Sequence, residues 1–316
     1  MNIEKYLFLF IILVACNQKQ STEEIKFKNG DITLSGTIYY PTTPLKGSIL
    51  LLTGKGPFSR QDLDITSFVE MFNRHGLAVL LYDKRGCGKS EGNLGLATFF
   101  DVAQDAFQAV GKLKKNKRLS ELPIGIWGGS EGANIAVYVA SKDTSVHFLV
   151  AQSFAAIPFR EQNLFEVAQI ARKKHLSDED TKLVIAFQTA LLDFSEGKIT
   201  WESYTHQWNL IKDKPYGKKM GIETREDPRW MRYKSLAGFH PLSDTMHLPE
   251  KSFFYWGTTD EYMDANACKM AVDSIFKNNF PAYVMEGSGH NPLKPGDPNA
   301  KKNIALLEEW LEDNGF

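Results

Sequence analysis

The sequence predicts an α/β fold: a mostly parallel, doubly wound sheet, led by a β-hairpin and interrupted by a helical insertion. Three observations carry this. Residues 47–53 (GSILLLT), 77–82 (LAVLLY), 124–127 (IGIW) and 148–151 (FLVA) are short, nearly all-apolar runs. Such runs suit strands buried on both faces, as in parallel sheets. Helix-patterned stretches separate them, at 65–75, 99–113 and 132–141, the second with Phe99, Val102, Phe107 and Val110 on one face. Strands alternating with helices imply βαβ units. From about 159 to 233 strand-like runs vanish and helical spacing takes over.

Taken in order, residues 25–28 and 32–39 alternate around Asn29-Gly30-Asp31. Asn-Gly between alternating runs is a hairpin signal, because both residues accept positive φ. The insertion shows apolar spacing at Leu164, Val167, Ile170 and Ala171, and again at Leu183, Ile185, Ala186, Ala190 and Leu191. It is dense in aromatics: Phe187, Phe194, Trp201, Tyr204, Trp208, Tyr216, Trp230 and Tyr233. Strand character returns at 252–256 (SFFYW) and 282–285 (AYVM), and an amphipathic helix closes the chain over about 303–313. The expected organisation is a core of residues 25–156 and 234–316 around an insertion at 157–233.

The chain has 316 residues, 43% of them hydrophobic, enough to bury a large core. A formal net charge of −1 gives no global basic excess, so nucleic acid is not an expected partner. The basic stretch KLKKNKR at 112–118 reads as a solvated helix end. At the N-terminus, Lys5 precedes ten apolar residues at 6–15, about half of what a membrane-spanning helix needs. The run ends in Leu13-Val14-Ala15-Cys16, which resembles a bacterial lipoprotein signal. It implies a cleaved peptide at 1–15, a lipid on Cys16, a tether at 16–24, and a protein exported and anchored to a bacterial membrane. Export permits a disulfide between Cys87 and Cys268; two unpaired small core residues are an equal expectation. No Cys/His spacing suits zinc and H-E-x-x-H is absent, so neither metal nor cofactor is expected.

The chemistry centres on Gly128-Gly129-Ser130-Glu131-Gly132, which follows the apolar run 124–127 and precedes a helical stretch from about Ala133. G-x-S-x-G between strand and helix marks a nucleophile elbow, a turn so tight that side chains two residues either side of the serine would clash. Gly128 and Gly132 remove them. A serine hydroxyl needs a base to become nucleophilic at neutral pH. The run 253–256 leads into Gly257-Thr258-Thr259-Asp260, and 282–285 leads into Glu286-Gly287-Ser288-Gly289-His290. Asp260 and His290 thus each follow a strand, at the sheet edge where open α/β folds bind ligands. The chain order serine, acid, histidine suits an elbow of this kind. Asp264 is the main rival acid, with Asp244 behind it. His75, His147, His175, His206, His240 and His247 lack the strand-then-glycine context.

A tetrahedral oxyanion needs two backbone N–H donors. Glu131, next after the nucleophile, supplies one. The loop Thr53-Gly54-Lys55-Gly56-Pro57 supplies the other, from Lys55 or alternatively Gly56.

Together these pieces resemble the bacterial α/β-hydrolases grouped with serine aminopeptidase-like and prolyl-oligopeptidase-like esterases. The matching parts are the Asn29-Gly30 hairpin, Gly54 to Pro57, Asp83-Lys84-Arg85-Gly86-Cys87-Gly88-Lys89-Ser90, the elbow, Gly257 to Asp260, Gly289-His290, and the return from the insertion at Trp230 to Tyr233 and His240 to Leu242. The likeness spans roughly residues 25–313. It implies a helical cap, a Ser130–His290–Asp260 triad and hydrolysis of a small carboxylic ester, with a peptidase or amidase as the alternative and a catalytically dead binding protein behind both. Such relatives usually carry a small polar residue where Lys55 stands and an acidic one near Ser59. Gly86 to Ser90 also resembles the end of a phosphate loop, but that loop needs a glycine where Asp83 stands. The resemblance implies instead a structural loop beneath the active site.

Overall fold

The computed structural model describes residues 20–62, 65–218, 220–242 and 247–316. The predicted signal segment, Cys16 and Asp244 lie outside the described residues. Eight strands make one sheet: β1 (Thr22–Asn29), β2 (Ile32–Tyr39), β3 (Gly47–Leu52), β4 (Leu77–Tyr82), β5 (Ile124–Gly129), β6 (Val146–Gln152), β7 (Lys251–Gly257) and β8 (Ala282–Met285), in the order β1-β2-β4-β3-β5-β6-β7-β8. β1 and β2 form the expected hairpin, and β2 joins β4 antiparallel. From β4 to β8 every pairing is parallel. β1 starts at Thr22, inside the stretch expected to be a tether, because β2 offers partners as far as Tyr39. Thr22, Glu23 and Glu24 are tolerated there since β1 is an edge strand.

Period-two alternation divides the strand side chains between two layers. Ile49, Leu51, Val79, Trp127, Val150, Phe253 and Tyr255 pack under Phe68 and Phe72 of α1 (Thr66–Arg74) and Leu307 and Leu311 of α9 (Ala300–Asp313). Leu50, Leu80, Ile126, Leu149, Phe254 and Trp256 pack under α2 (Phe99–Lys114), α3 (Glu131–Lys142) and α8 (Ala265–Phe276). Thr98 starts α2 with a capping box: its hydroxyl accepts from the Asp101 N–H, and the Asp101 carboxylate accepts from the Thr98 N–H.

Between β6 and β7 lie α4 (Phe159–Lys173), α5 (Asp178–Ser195), α6 (Trp201–Ile211) and α7 (Trp230–Leu236). They have a core of their own: Phe187, Leu191, Tyr204, Trp208, Ile211, Ile222 and Trp230. α7 runs on to Leu236 because its two ends serve different cores. Trp230 is buried in the insertion, and Leu236 in the α2–α3 layer. Cys87 and Cys268 are both free thiols. Burial pushes the Cys268 thiol up to about 12, which keeps it protonated and inert.

Candidate active site

Ser130 stands between β5 and α3 with φ 57° and ψ −123°. A non-glycine residue in that region is strained by on the order of 1–3 kcal/mol, and the surroundings hold it there. The Ser130 N–H donates to the Gln152 carbonyl of β6 at 2.9 Å, and the Ser130 carbonyl accepts from Ala133 N–H at 2.8 Å. Because Ser130 itself caps α3, the helix begins at Glu131 rather than near Ala133. The elbow glycines are required by contact. A Cβ on Gly128 would lie 2.2 Å from the Gly132 carbonyl oxygen, and one on Gly132 would lie 2.1 Å from that of Leu52.

Asp260 follows β7 and His290 follows β8. His290 Nδ1 lies 2.8 and 2.9 Å from the two Asp260 carboxylate oxygens. An ionised carboxylate only accepts, so Nδ1 carries the proton and Nε2 is left free to act as a base. The Asp260 side chain is fully buried and that of His290 is 26% exposed. Asp260 Oδ1 also accepts from the N–H groups of Tyr262 and Met263 at 2.8 and 3.1 Å, and the Tyr262 ring stands edge-on to the imidazole at 4.9 Å. Asp264 does something else: its carboxylate caps α8, accepting from Ala267 N–H at 3.0 Å. The two loops interlock, since a Cβ on Gly257 would fall 2.2 Å from the carbonyl oxygens of both Ser288 and Gly289. The Ser153 hydroxyl fixes the His290 carbonyl at 2.9 Å. His75 and His147 lie elsewhere, beside Glu308 and the Ile124 N–H.

Ser130, Glu131, Lys55, Gly54 and His290 line one cavity of about 1060 Å³; Gly56 does not line it. Ser130 and His290 are not hydrogen-bonded to each other among the described residues. In unliganded hydrolase sites that bond is often long and tightens with substrate. A Cβ on Gly54 would lie 3.2 Å from Ser130 Cβ, so this loop backs directly onto the serine.

Lys84 holds the loop's shape. Buried at 6% exposure, its ammonium donates to the Gly54 carbonyl, and to that of Gly56 at 3.1 Å. Burial lowers its pKa, with Glu131 opposing the shift. The neighbouring glycine-rich stretch wraps Asp83, whose carboxylate accepts from the N–H groups of Arg60 and Lys89, each at 2.8 Å.

The cavity draws apolar walls from both sheet layers: Ile65, Phe68 and Trp127 from one, Phe99, Leu236 and Met263 from the other. The insertion contributes residues of α4 and α7. Of its eight aromatics singled out above, Tyr233 alone lines the cavity. The rest pack one another, because helices projecting from a sheet must bury their own apolar faces. Arg232 of α7 forms an ion pair with Glu131, and Gln162 of α4 donates to the Tyr262 carbonyl, so both cavity-facing helices are tied to the loops that carry Ser130 and Asp260.

Sequence reasoning missed Lys84, Ser153, Gln152 and Arg232. A signal existed for Gln152, the first polar residue after the apolar run 148–151, at the C-terminal sheet edge. Lys84 is visible in sequence only as part of the stretch Asp83 to Ser90; that its side chain is buried and holds the Gly54 loop is shown by packing.

Residues 44–177 match the serine aminopeptidase S33 family model. That segment includes the Gly54 loop and the elbow; Asp260 and His290 lie beyond it. The chain is 24% identical over 242 residues to a thiohydrolase, aneE, of Aspergillus aculeatus, covering 72% of this chain and 73% of that one. An esterase of Pyrococcus furiosus superposes with a TM-score of 0.59 at 17% identity, covering 93% of this chain and 91% of its own. The α/β-hydrolase GrgF of Penicillium matches with a TM-score of 0.59 at 20% identity, covering 93% and 98%. The structural likenesses show the α/β-hydrolase fold, and the family match with the thiohydrolase relative supports a hydrolase built on it.

Proposed function

We propose that the protein is a serine hydrolase of small carboxylic esters. The observation that carries this reading is that His290, held from behind by the buried Asp260, lines the same cavity as a serine on a strained strand-to-helix turn. Ser130 attacks the acyl carbonyl while His290 Nε2 takes its proton. Asp260 holds the imidazole and stabilises its charge. The N–H groups of Lys55 and Glu131 hold the oxyanion. The proton passes from His290 to the leaving group, and water activated by the same histidine frees the acid. The mostly apolar cavity walls suit short to medium acyl groups, at about 0.8 kcal/mol for each buried methylene until the cap blocks further length.

One observation favours a second reading, an aminopeptidase. Glu166 of α4 lines the cavity and has no ion-pair partner among the described residues, so a carboxylate is present to hold a substrate amine. Rates across p-nitrophenyl esters of two to sixteen carbons, beside aminoacyl amides, decide between them. The esterase reading expects a maximum at short or medium chains and poor amide cleavage. Faster cleavage of amides than of any ester overturns it. A fluorophosphonate should label Ser130 alone, and Ser130→Ala should lower ester hydrolysis on the order of 10³-fold or more with folding intact. Labelling that persists in Ser130→Ala rejects the nucleophile.

A further inference from the structure

A buried relay ends at the cavity. The Trp127 indole N–H donates to the Tyr255 hydroxyl at 3.1 Å, and that hydroxyl donates to Gln152 Oε1 at 2.9 Å. An indole N–H can only donate, so the phenol oxygen accepts there, and the phenol O–H faces the amide oxygen, to which it donates. Burial raises the Tyr255 pKa far above its ordinary value, so the phenol remains a donor throughout the working pH range. With Oε1 committed to Tyr255, the amide nitrogen is the free end of the chain. Gln152 is only 3% exposed, yet it lines the cavity, and its Nε2 has no partner among the described residues. Unlike a donor sealed in the core, this Nε2 keeps access to the cavity, where an acceptor on a substrate can reach it.

Gly129 keeps this donor open. A Cβ at position 129 would lie 2.9 Å from the Trp127 ring and 3.5 Å from Gln152 Nε2. Any side chain there would push on the indole and cover the amide. The glycine before the nucleophile thus leaves a gap beside the Trp127 ring, and at its base stands the Gln152 amide N–H group.

We propose that Gln152 is a specificity-determining residue that donates to an oxygen on the substrate, and that the preferred substrates are esters of oxygen-substituted acids, hydroxy or oxo, rather than plain alkanoates. The assignment rests on the serine hydrolase reading above. A substrate oxygen near the scissile carbonyl would satisfy the amide, and a plain acyl chain would leave it desolvated and unpaired.

The test uses the full-length protein and three p-nitrophenyl esters, of pentanoic, 3-hydroxypentanoic and 4-oxopentanoic acids. What is read is the ratio of kcat/KM, oxygenated over plain, within each variant. The wild type should favour at least one oxygenated ester by about ten- to a hundredfold. Gln152→Met should bring that ratio to about one. Tyr255→Phe, which keeps Gln152 but unties its amide, should give an intermediate ratio and serves if Gln152→Met does not fold. A purely structural role would lower all three rates together and leave the ratio untouched, which would overturn the assignment. So would a wild-type ratio near one. If the wild type hydrolyses none of the three and Ser130 resists a fluorophosphonate, the serine hydrolase reading falls as well.

Discussion

The sheet core and the helical insertion bury their apolar residues by different means, and the contrast separates chemistry from access. In the core, strands apolar on both faces lie between two helical layers, and the residues of the site sit where strands end. Short side-chain-to-backbone bonds fix those loops, from Lys84 to the Gly54 loop and from Ser153 to His290. The insertion buries an aromatic cluster of its own and, among the described residues, reaches the site through Ile157, α4 and α7. Damage to the core's loops should therefore strike turnover, whereas damage to the insertion's cluster should strike stability and substrate choice.

The sharpest way to break that division lies in two nearby aspartates. Asp260→Asn should lower kcat/KM by about 10³- to 10⁴-fold, because the amide no longer holds the imidazole in its productive tautomer. Asp264→Ala should leave kcat/KM within about twofold and cost about 1 kcal/mol through the lost cap of α8. Ester kinetics and thermal melts on both variants check this, and the reverse pattern would move the acid to Asp264.

The next effect in size concerns Lys84. Lys84→Met takes the donor from two loop carbonyls, so the Gly54–Lys55–Gly56 backbone loses its set shape. We expect kcat to fall at least tenfold with KM changed less, since the loop's N–H serves the transition state more than the ground state. A rise in KM alone would show that the loop only binds substrate.

The smallest effect on turnover should come from the insertion. Phe187→Ala removes a fully buried ring from the aromatic cluster and should cost about 3–5 kcal/mol of local stability. Three of the six tryptophans, Trp201, Trp208 and Trp230, belong to this region and report it by fluorescence. The fluorescence transition should move to lower temperature while short-ester hydrolysis below that transition stays within a few fold. A large loss of short-ester activity in the still-folded variant would show that the insertion shapes the chemistry as well.

The same contrast explains what was readable in the sequence. The parallel strands announced themselves as unbroken apolar runs, because burial on both faces leaves no room for alternation. Ser130, Asp260 and His290 stood just past such runs, with glycines where steric limits demand them, and the structure brings His290 and Asp260 into contact. What stayed hidden were partnerships between distant segments: Lys84 with Gly54, Arg232 with Glu131, Tyr255 with Gln152. Each joins residues far apart in the chain, and no periodicity encodes it. The insertion's aromatics were visible as a group, but their spacing does not tell whether they face a cavity or one another. The lipid-anchor expectation falls on residues outside those described.

The Lys84 clamp has a consequence for how this site can drift in sequence. Among the described residues its ammonium donates to two carbonyl oxygens of the Gly54 loop. Every amino acid brings the same carbonyl, so the loop's path does not depend on which side chain occupies position 55. The side chain at position 55, which lines the cavity, can therefore be exchanged while the backbone path beneath it is kept. On the proposed reading, recognition of new substrates can thus be explored at position 55 without moving the backbone N–H assigned to the oxyanion.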